Sequence, residues 1–266
     1  MSAHLQSLKF EAFGIVVEVS GPADIGEGIG RAVSESLPGS RQIVVETAID
    51  RRFTILSGTD GYSIDSNGET LIDRADLERT LTYLGSHARL TVAENAREFI
   101  FVHSGAVVWN GRAVLLPGES YSGKTTLTAE LVKRGAEYLS DEFAVIDNLG
   151  RACPFPKTLS MRGILDGHRQ VEISAESLGA TVAVDPVPVG TVLVSEYVQG
   201  SHFRPRAITK GDGLMALIAN TVPIRASPER AIKVLGKAVA GAVFLKGKRG
   251  EATEAAEALL EQLKGR

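Results

Sequence analysis

The sequence predicts an α/β protein in two parts, a smaller α+β region over residues 1–97 and a larger α/β domain over residues 98–266. Three observations carry this expectation. Residues 118–125 read Gly-Glu-Ser-Tyr-Ser-Gly-Lys-Thr, a complete G-x-x-x-x-G-K-[ST] loop set between the apolar run 113–117 and a helical pattern. From Phe99 the texture changes to apolar, β-branched runs alternating with helical stretches. Before residue 97, short strand-like runs gather around an Asn67-Gly68 hairpin signal, with no chemistry-bearing motif among them.

In the first part, residues 10–19 alternate and read as one strand, 24–37 as a short helix or loop, and 42–47 and 52–56 as strands. Tyr62-Ser63-Ile64-Asp65 and Thr70-Leu71-Ile72 flank the Asn-Gly turn. A helix is expected from Asp76 to about Glu98, with Leu77, Leu81, Leu84 and Leu90 on or near one face. This region reads as an auxiliary domain for substrate docking or oligomerisation.

In the second part, residues 99–103 and 106–109 read as two strands, and Asn110-Gly111 turns the chain into a third over 113–116. A helix over 125–134 stops at Gly135, a natural C-terminal cap. Strand-like residues 138–139 and 143–146 bracket the acidic pair Asp141-Glu142. Further helices are expected over 212–221, from Ser227-Pro228-Glu229 onward with serine as cap, and over 251–263 as an amphipathic packing helix.

The chain has 266 residues, 44% hydrophobic and 23% charged, with a net charge of −3. That charge carries no electrostatic footprint for nucleic acid or an anionic membrane. Cys153 is alone, Met1 to Gln6 lack the layout of a signal peptide, and no apolar run approaches the length of about 18 residues that a membrane span needs. A reducing cytoplasm is the expected setting.

The glycine-rich loop fixes the expected ligand class. In a strand–loop–helix setting, its glycines let the backbone curl so that successive N–H groups face the phosphates of a nucleotide. Gly118, Ser120, Tyr121, Ser122, Gly123, Lys124, Thr125 and Thr126 form the expected nucleotide-binding set. Lys124 would reach the β- and γ-phosphates, and Thr125 would offer its hydroxyl to Mg²⁺, so ATP and Mg²⁺ are the expected cofactors. Asp141 and Glu142 follow Lys124 by seventeen and eighteen residues, about one helix and one strand, which returns the chain to the strand ends beside the loop. Adjacent carboxylates there invite a compensating cation, although a solvated turn is the competing reading. Asp147, at the end of 143–146, is a rival candidate for the metal acid of an ordinary ATPase.

His103, Gly111 to Leu116, the loop 118–125, Leu131 to Gly135 and Leu139-Ser140-Asp141-Glu142 together resemble the catalytic core of the HPr serine kinase family. The similarity is specific over about residues 99–163. Farther on, the chain looks more like divergent HPr-kinase-related proteins, which include kinases of lasso-peptide clusters. The resemblance implies the compact P-loop kinase core shared with phosphoenolpyruvate carboxykinase. It makes Asp141 the base that takes the acceptor hydroxyl's proton and His103, twenty-one residues before Lys124, a neighbouring group that poises it. Lys124 would neutralise the leaving phosphate, Arg162 would lie near the phosphates, and Thr125 with Glu142 would contact the metal. Two departures matter: Glu142 stands where the family has a second aspartate, and Ser160 where it has a metal-site glutamate. The family signature that follows the arginine is not recognisable in Ile164 to His168, so HPr itself is not the implied acceptor.

Arg204, Arg206, Lys210, Lys246, Lys248 and Arg249 offer further positive charge, and Lys246-Gly247-Lys248-Arg249-Gly250 reads either as a mobile lid or as a solvated turn before the last helix. Three functional classes follow. The first is an ATP-dependent kinase acting on a serine-type or other hydroxyl of a peptide, protein or small molecule. The second is a non-catalytic nucleotide sensor, and the third an ordinary ATPase or GTPase using Asp147. The acceptor and the oligomeric state, homo-oligomer or monomer, stay open.

Overall fold

A computed structural model describes residues 5–119, 122–162 and 170–264, the side chains of Arg162 and Gln170 excepted. The chain packs as two compact units, Met1–Glu98 and Phe99–Arg266.

The first unit holds strands β1 (Leu5–Ala12), β2 (Ile15–Pro22), β3 (Arg41–Ile43), β4 (Arg51–Gly58), β5 (Gly61–Ser66) and β6 (Glu69–Ala75), with helices α1 (Gly26–Ser36) and α2 (Leu77–Asn95). Its sheet runs β3-β1-β2-β4-β5-β6, antiparallel except for the β2/β4 pair. The single strand expected over 10–19 is a hairpin instead. Phe13 and Gly14 both take positive φ, 53° and 77°, the geometry of a two-residue turn that matches strand twist. Asn67-Gly68 makes the same turn between β5 and β6. Asp76 caps α2 by accepting the Arg79 N–H at 2.8 Å. The leucine stripe is only part of its buried face: Leu84 is buried and Leu77 and Leu81 half-buried, but Leu90 is exposed, and Thr80, Gly85, Ala88 and Val92 point inward. Gly85 explains the rotation, because a Cβ there would lie 2.3 Å from Ser36 Oγ and 2.6 Å from the Ala32 carbonyl of α1. The expected strand 42–47 shrinks to β3, and Val44 beyond it is 94% exposed.

The second unit holds β7 (Phe99–Trp109), β8 (Arg112–Pro117), β9 (Glu137–Ser140), β10 (Phe143–Asp147), β11 (Arg151–Cys153), β12 (Leu159–Arg162), β13 (Gln170–Ile173), β14 (Val187–Tyr197), β15 (Arg206–Ala207) and β16 (Val243–Arg249). Its helices are α3 (Lys124–Lys133), α4 (Lys210–Ala219), α5 (Pro228–Ala238) and α6 (Ala252–Leu263). The large sheet runs β11-β10-β7-β8-β14-β16-β15, with β9 also on β7 and with β8, β14 and β16 mutually parallel. The period of two in the strands sorts side chains to two faces. Val114, Leu116, Leu193 and Leu245 pack against α3 and α6, while Ala113, Leu115, Val192 and Phe244 pack against α4 and α5. The result is a helix–sheet–helix sandwich, mixed α/β as the sequence predicts.

Two expected strands, 99–103 and 106–109, are one continuous strand. Ser104 and Gly105 do not break β7, because Gly105 is demanded by packing: a Cβ there would sit 2.5 Å from Thr128 Oγ1 of α3. Ser227 precedes α5 without a side-chain capping bond, its carbonyl instead accepting the Ala231 N–H at 3.0 Å. Among the described residues no helix is long and apolar enough to cross a membrane.

Candidate functional site

The site is assembled by β7. Its Ser104 pairs with Pro117, the last residue of β8, and donates its N–H to the Glu142 carbonyl at 3.2 Å. One strand residue therefore has the root of the glycine-rich loop on one side and the acidic pair on the other. His103, the preceding residue, pairs with Phe143, stands edge-on to its ring and donates its N–H to the Asn220 carbonyl at 2.8 Å.

The acidic pair is held by a serine turn. Ser140 Oγ accepts the N–H groups of Glu142 at 3.3 Å and Phe143 at 3.2 Å, which fixes Asp141 at the bend between β9 and β10. Asp141 is only 8% exposed, and the Thr125 hydroxyl bonds to its carboxylate. Burial, aided by Glu142, pushes its pKa up to about 7, against the Thr125 bond and the charges of Lys124 and Lys157. Among the described residues its Oδ1 is buried without a hydrogen-bond partner. An acceptor with a free lone pair beside a threonine hydroxyl suits a proton or a hard cation.

Between β8 and α3 the loop turns on Gly123, whose φ is +80°. Lys124 Nζ folds back to donate to the carbonyls of Gly118 and Glu119, both at 2.8 Å. Burial lowers the Lys124 pKa, and Asp141, Glu142 and Glu119 oppose the shift. Among the described residues no side chain caps α3, so the amides of its first turn, which have no intrahelical acceptor, are left as the positive end of the helix dipole. Thr125 turns inward to Asp141, whereas Thr126 is exposed. Ser120 and Tyr121 lie outside the described residues, as does the Arg162 side chain, whose backbone ends β12. A cleft of about 350 Å³ opens at the loop, walled by Gly118, Glu119 and Ser122 and by Ser195, Tyr197 and Asn220. A larger recess of about 610 Å³ lies by Trp109, Arg134 and Lys264, away from the acidic pair and the loop.

Two residues of the site carry no signal of their own in the sequence. Lys157, mostly buried, lies close enough to Asp141 to lower its pKa, and its Nζ pairs with Glu172 at 3.1 Å. Ser160, where the family resemblance expects an acid, donates to the same Glu172 across the β12/β13 register. Arg249 ends β16 at 2% exposure, so the expected turn after residue 245 is strand through Arg249. Its Nη2 donates to the carbonyls of Ser122 at 3.1 Å and Gly123 at 2.7 Å.

Asp147 does not belong to this site, which corrects its candidacy as a metal acid. It pairs with Phe99 at the far end of β10, about 13 Å along the strand from Phe143. There its Oδ1 accepts the N–H groups of Leu149 at 3.0 Å and Arg151 at 2.8 Å, and its Oδ2 binds the Arg151 guanidinium at 2.7 Å. That is a turn-closing role. Asp147→Asn is expected to leave nucleotide affinity and turnover within about twofold and to lower stability by about 1 kcal/mol at most, since Arg151 is half exposed. Parallel binding and thermal-melt measurements check both.

No protein-family model matches the chain, and no curated protein matches it. Among solved structures the chain has a distant likeness to the HPr(Ser) kinase/phosphatase from Coxiella burnetii, at 15% identity and a TM-score of 0.33, covering 62% of this chain and 94% of that one.

Proposed function

We propose that this protein is an ATP-dependent kinase that transfers a phosphoryl group to a hydroxyl acceptor. One observation carries the reading: a buried carboxyl with an open Oδ1, Asp141, is bonded by Thr125 in the first turn of the helix that follows a G-x-x-x-x-G-K-[ST] loop. A general base works best when its pKa lies near the working pH, and burial raises the Asp141 carboxyl in that direction. The order of motifs from His103 to Glu142, which resembles the HPr serine kinase core, supports the same assignment.

In this reading the α3 amides and Lys124 hold the phosphate chain, with Lys124 exchanging the Gly118 and Glu119 carbonyls for phosphate oxygens. Thr125 and Glu142 are the residues that would hold Mg²⁺, and they fit it: hard oxygen donors beside an orphaned carboxylate oxygen suit an ion bound by few protein groups and by substrate phosphates. Bound magnesium supplies charge neutralisation of the phosphates. Asp141 accepts the hydroxyl proton as the acceptor oxygen bonds to the γ-phosphorus and the bond to the departing ADP oxygen breaks. Lys157 favours the ionised form of that carboxylate, and the family resemblance assigns His103 as the neighbouring group that poises it.

The test is transfer from γ-labelled ATP into a fractionated lysate of the source cell, with wild type and Asp141→Asn compared. Label in one fraction with the wild type alone is the expected result and shows whether the acceptor is large or small. ATP binding with no label in any fraction overturns the kinase assignment in favour of a nucleotide sensor.

A further inference from the structure

We infer that Arg249, a buried residue at the end of β16, is the positioning residue that shapes the glycine-rich loop for polyphosphate, acting from beneath rather than by touching the ligand. The inference rests on the nucleotide-binding part of the reading above. The guanidinium is enclosed: Nη2 donates to the Ser122 and Gly123 carbonyls, Nη1 to the Gly250 carbonyl at 3.3 Å, and the Tyr197 ring lies 5.6 Å from its centre. Among the described residues no carboxylate forms an ion pair with it, Glu251 acting on it only through space, and its Nε has no acceptor. A cation kept this dry with no carboxylate in direct contact is disfavoured unless the carbonyls around it do its solvation.

What the carbonyls do for the arginine, the arginine does for the loop. A trans peptide unit places its C=O and N–H on opposite sides. With the Ser122 and Gly123 carbonyls drawn to the guanidinium, the N–H groups of Gly123 and Lys124 in the same two peptides turn the other way, to the face that would receive phosphate. Lys124 meanwhile holds the Gly118 and Glu119 carbonyls. The loop is thus a ring of carbonyls gathered by two cations, one fixed beneath it and one free to swing out. Gly123 is part of the device, since a Cβ there would lie 2.1 Å from Arg249 Nη2. Lysine does not reproduce the fork, because one ammonium on a shorter stem cannot hold the Ser122 and Gly123 carbonyls as Nη2 does and the Gly250 carbonyl as Nη1 does.

The experiment measures dissociation constants of ATP, ADP and adenosine by displacement of a fluorescent nucleotide from the full chain, for wild type, Arg249→Lys and Arg249→Ala. Arg249→Lys is expected to weaken ATP and ADP by about tenfold or more, the loss of charge-assisted hydrogen bonds, and to leave adenosine within about twofold. Added guanidinium at millimolar concentration is expected to recover part of the ATP affinity of Arg249→Ala and none of that of wild type. A merely structural role would lower melting temperature and weaken all three ligands alike. Wild-type affinities in folded Arg249→Lys, or an equal loss for adenosine and ATP, overturn the inference while the nucleotide reading stands. Absence of nucleotide binding by the wild type overturns both.

Discussion

Asp141→Asn is expected to lower phosphoryl transfer by about 10²- to 10⁴-fold, the range of a lost general base, while ATP affinity changes by no more than a few fold. The pH profile of the wild type carries the same residue's signature. Because burial holds the Asp141 carboxyl up at about 7, the base is protonated below that pH, and kcat/KM is expected to fall by about tenfold per unit on the acid side. Stability moves in the opposite sense. The folded pKa lies above the usual carboxyl value of 3.8, so the folded state holds an extra proton between about pH 4 and pH 7. Stability therefore declines as pH rises through that window, and the penalty of the buried charge is complete above about pH 7. Its ceiling is about 4 kcal/mol, roughly three units at 1.36 kcal/mol each. Asp141→Asn removes the charge, so the variant is expected to melt above wild type at pH 8 and to lose that advantage at pH 4. A melting difference that is the same at both values, or transfer that survives the substitution, would refute the assignment of Asp141 as base.

Such an opposition of rate and stability is the expected mark of a site under functional demand, a carboxylate placed where the fold alone would prefer an amide or an apolar group. The serine turn of Ser140 enforces the placement, because its two hydrogen bonds fix the backbone whether or not the carboxyl is charged.

The parts of the fold that sequence made legible are those whose signals are local. The Asn67-Gly68 and Asn110-Gly111 hairpins, the helix ending at Gly135 and the strand–loop–helix around Lys124 are each written in a few adjacent residues. What was hidden depends on partners distant in sequence. Gly14 is the one local mark of the turn at Phe13, and it is outweighed because the alternation carries straight through the hairpin and phenylalanine rarely takes positive φ. Ser104-Gly105 looks like a strand break until Thr128 of α3 is seen to need the space. The leucines of α2 follow a helical stripe, yet the inward face is set by where Gly85 lets α1 approach. In the site, the loop and the acidic pair were visible as motifs, whereas the β7 register that joins them was not, nor was Glu172 beside Ser160. Arg249 is the extreme case. In a Lys-Gly-Lys-Arg-Gly run it reads as solvated, and only the parallel pairing of β14 with β16 carries it beneath a glycine 126 residues earlier.

Gly123→Ala is expected to abolish measurable ATP binding, and the reason can be separated from ordinary glycine strain. Two effects act at this position. A non-glycine residue at φ +80° costs about 1 kcal/mol or more wherever it occurs. The added methyl would also occupy the space of the Arg249 guanidinium and force it from the Ser122 and Gly123 carbonyls. If strain alone mattered, the losses of Gly123→Ala and Arg249→Ala would add in the double variant. If the methyl acts by expelling the arginine, removing the arginine as well deletes little that is still made, so the double variant is expected to be about as stable as the worse single one. The coupling is then about 1–3 kcal/mol, measured by denaturant unfolding of all four proteins. Gly135→Ala is the control for strain. It also lies at positive φ, +94°, but a Cβ there meets nothing within 4 Å, so its loss is expected to add to that of Arg249→Ala within about 0.5 kcal/mol and to leave ATP affinity unchanged. Additive losses for the Gly123 pair would leave the glycine as a turn former only and detach it from the cation beneath.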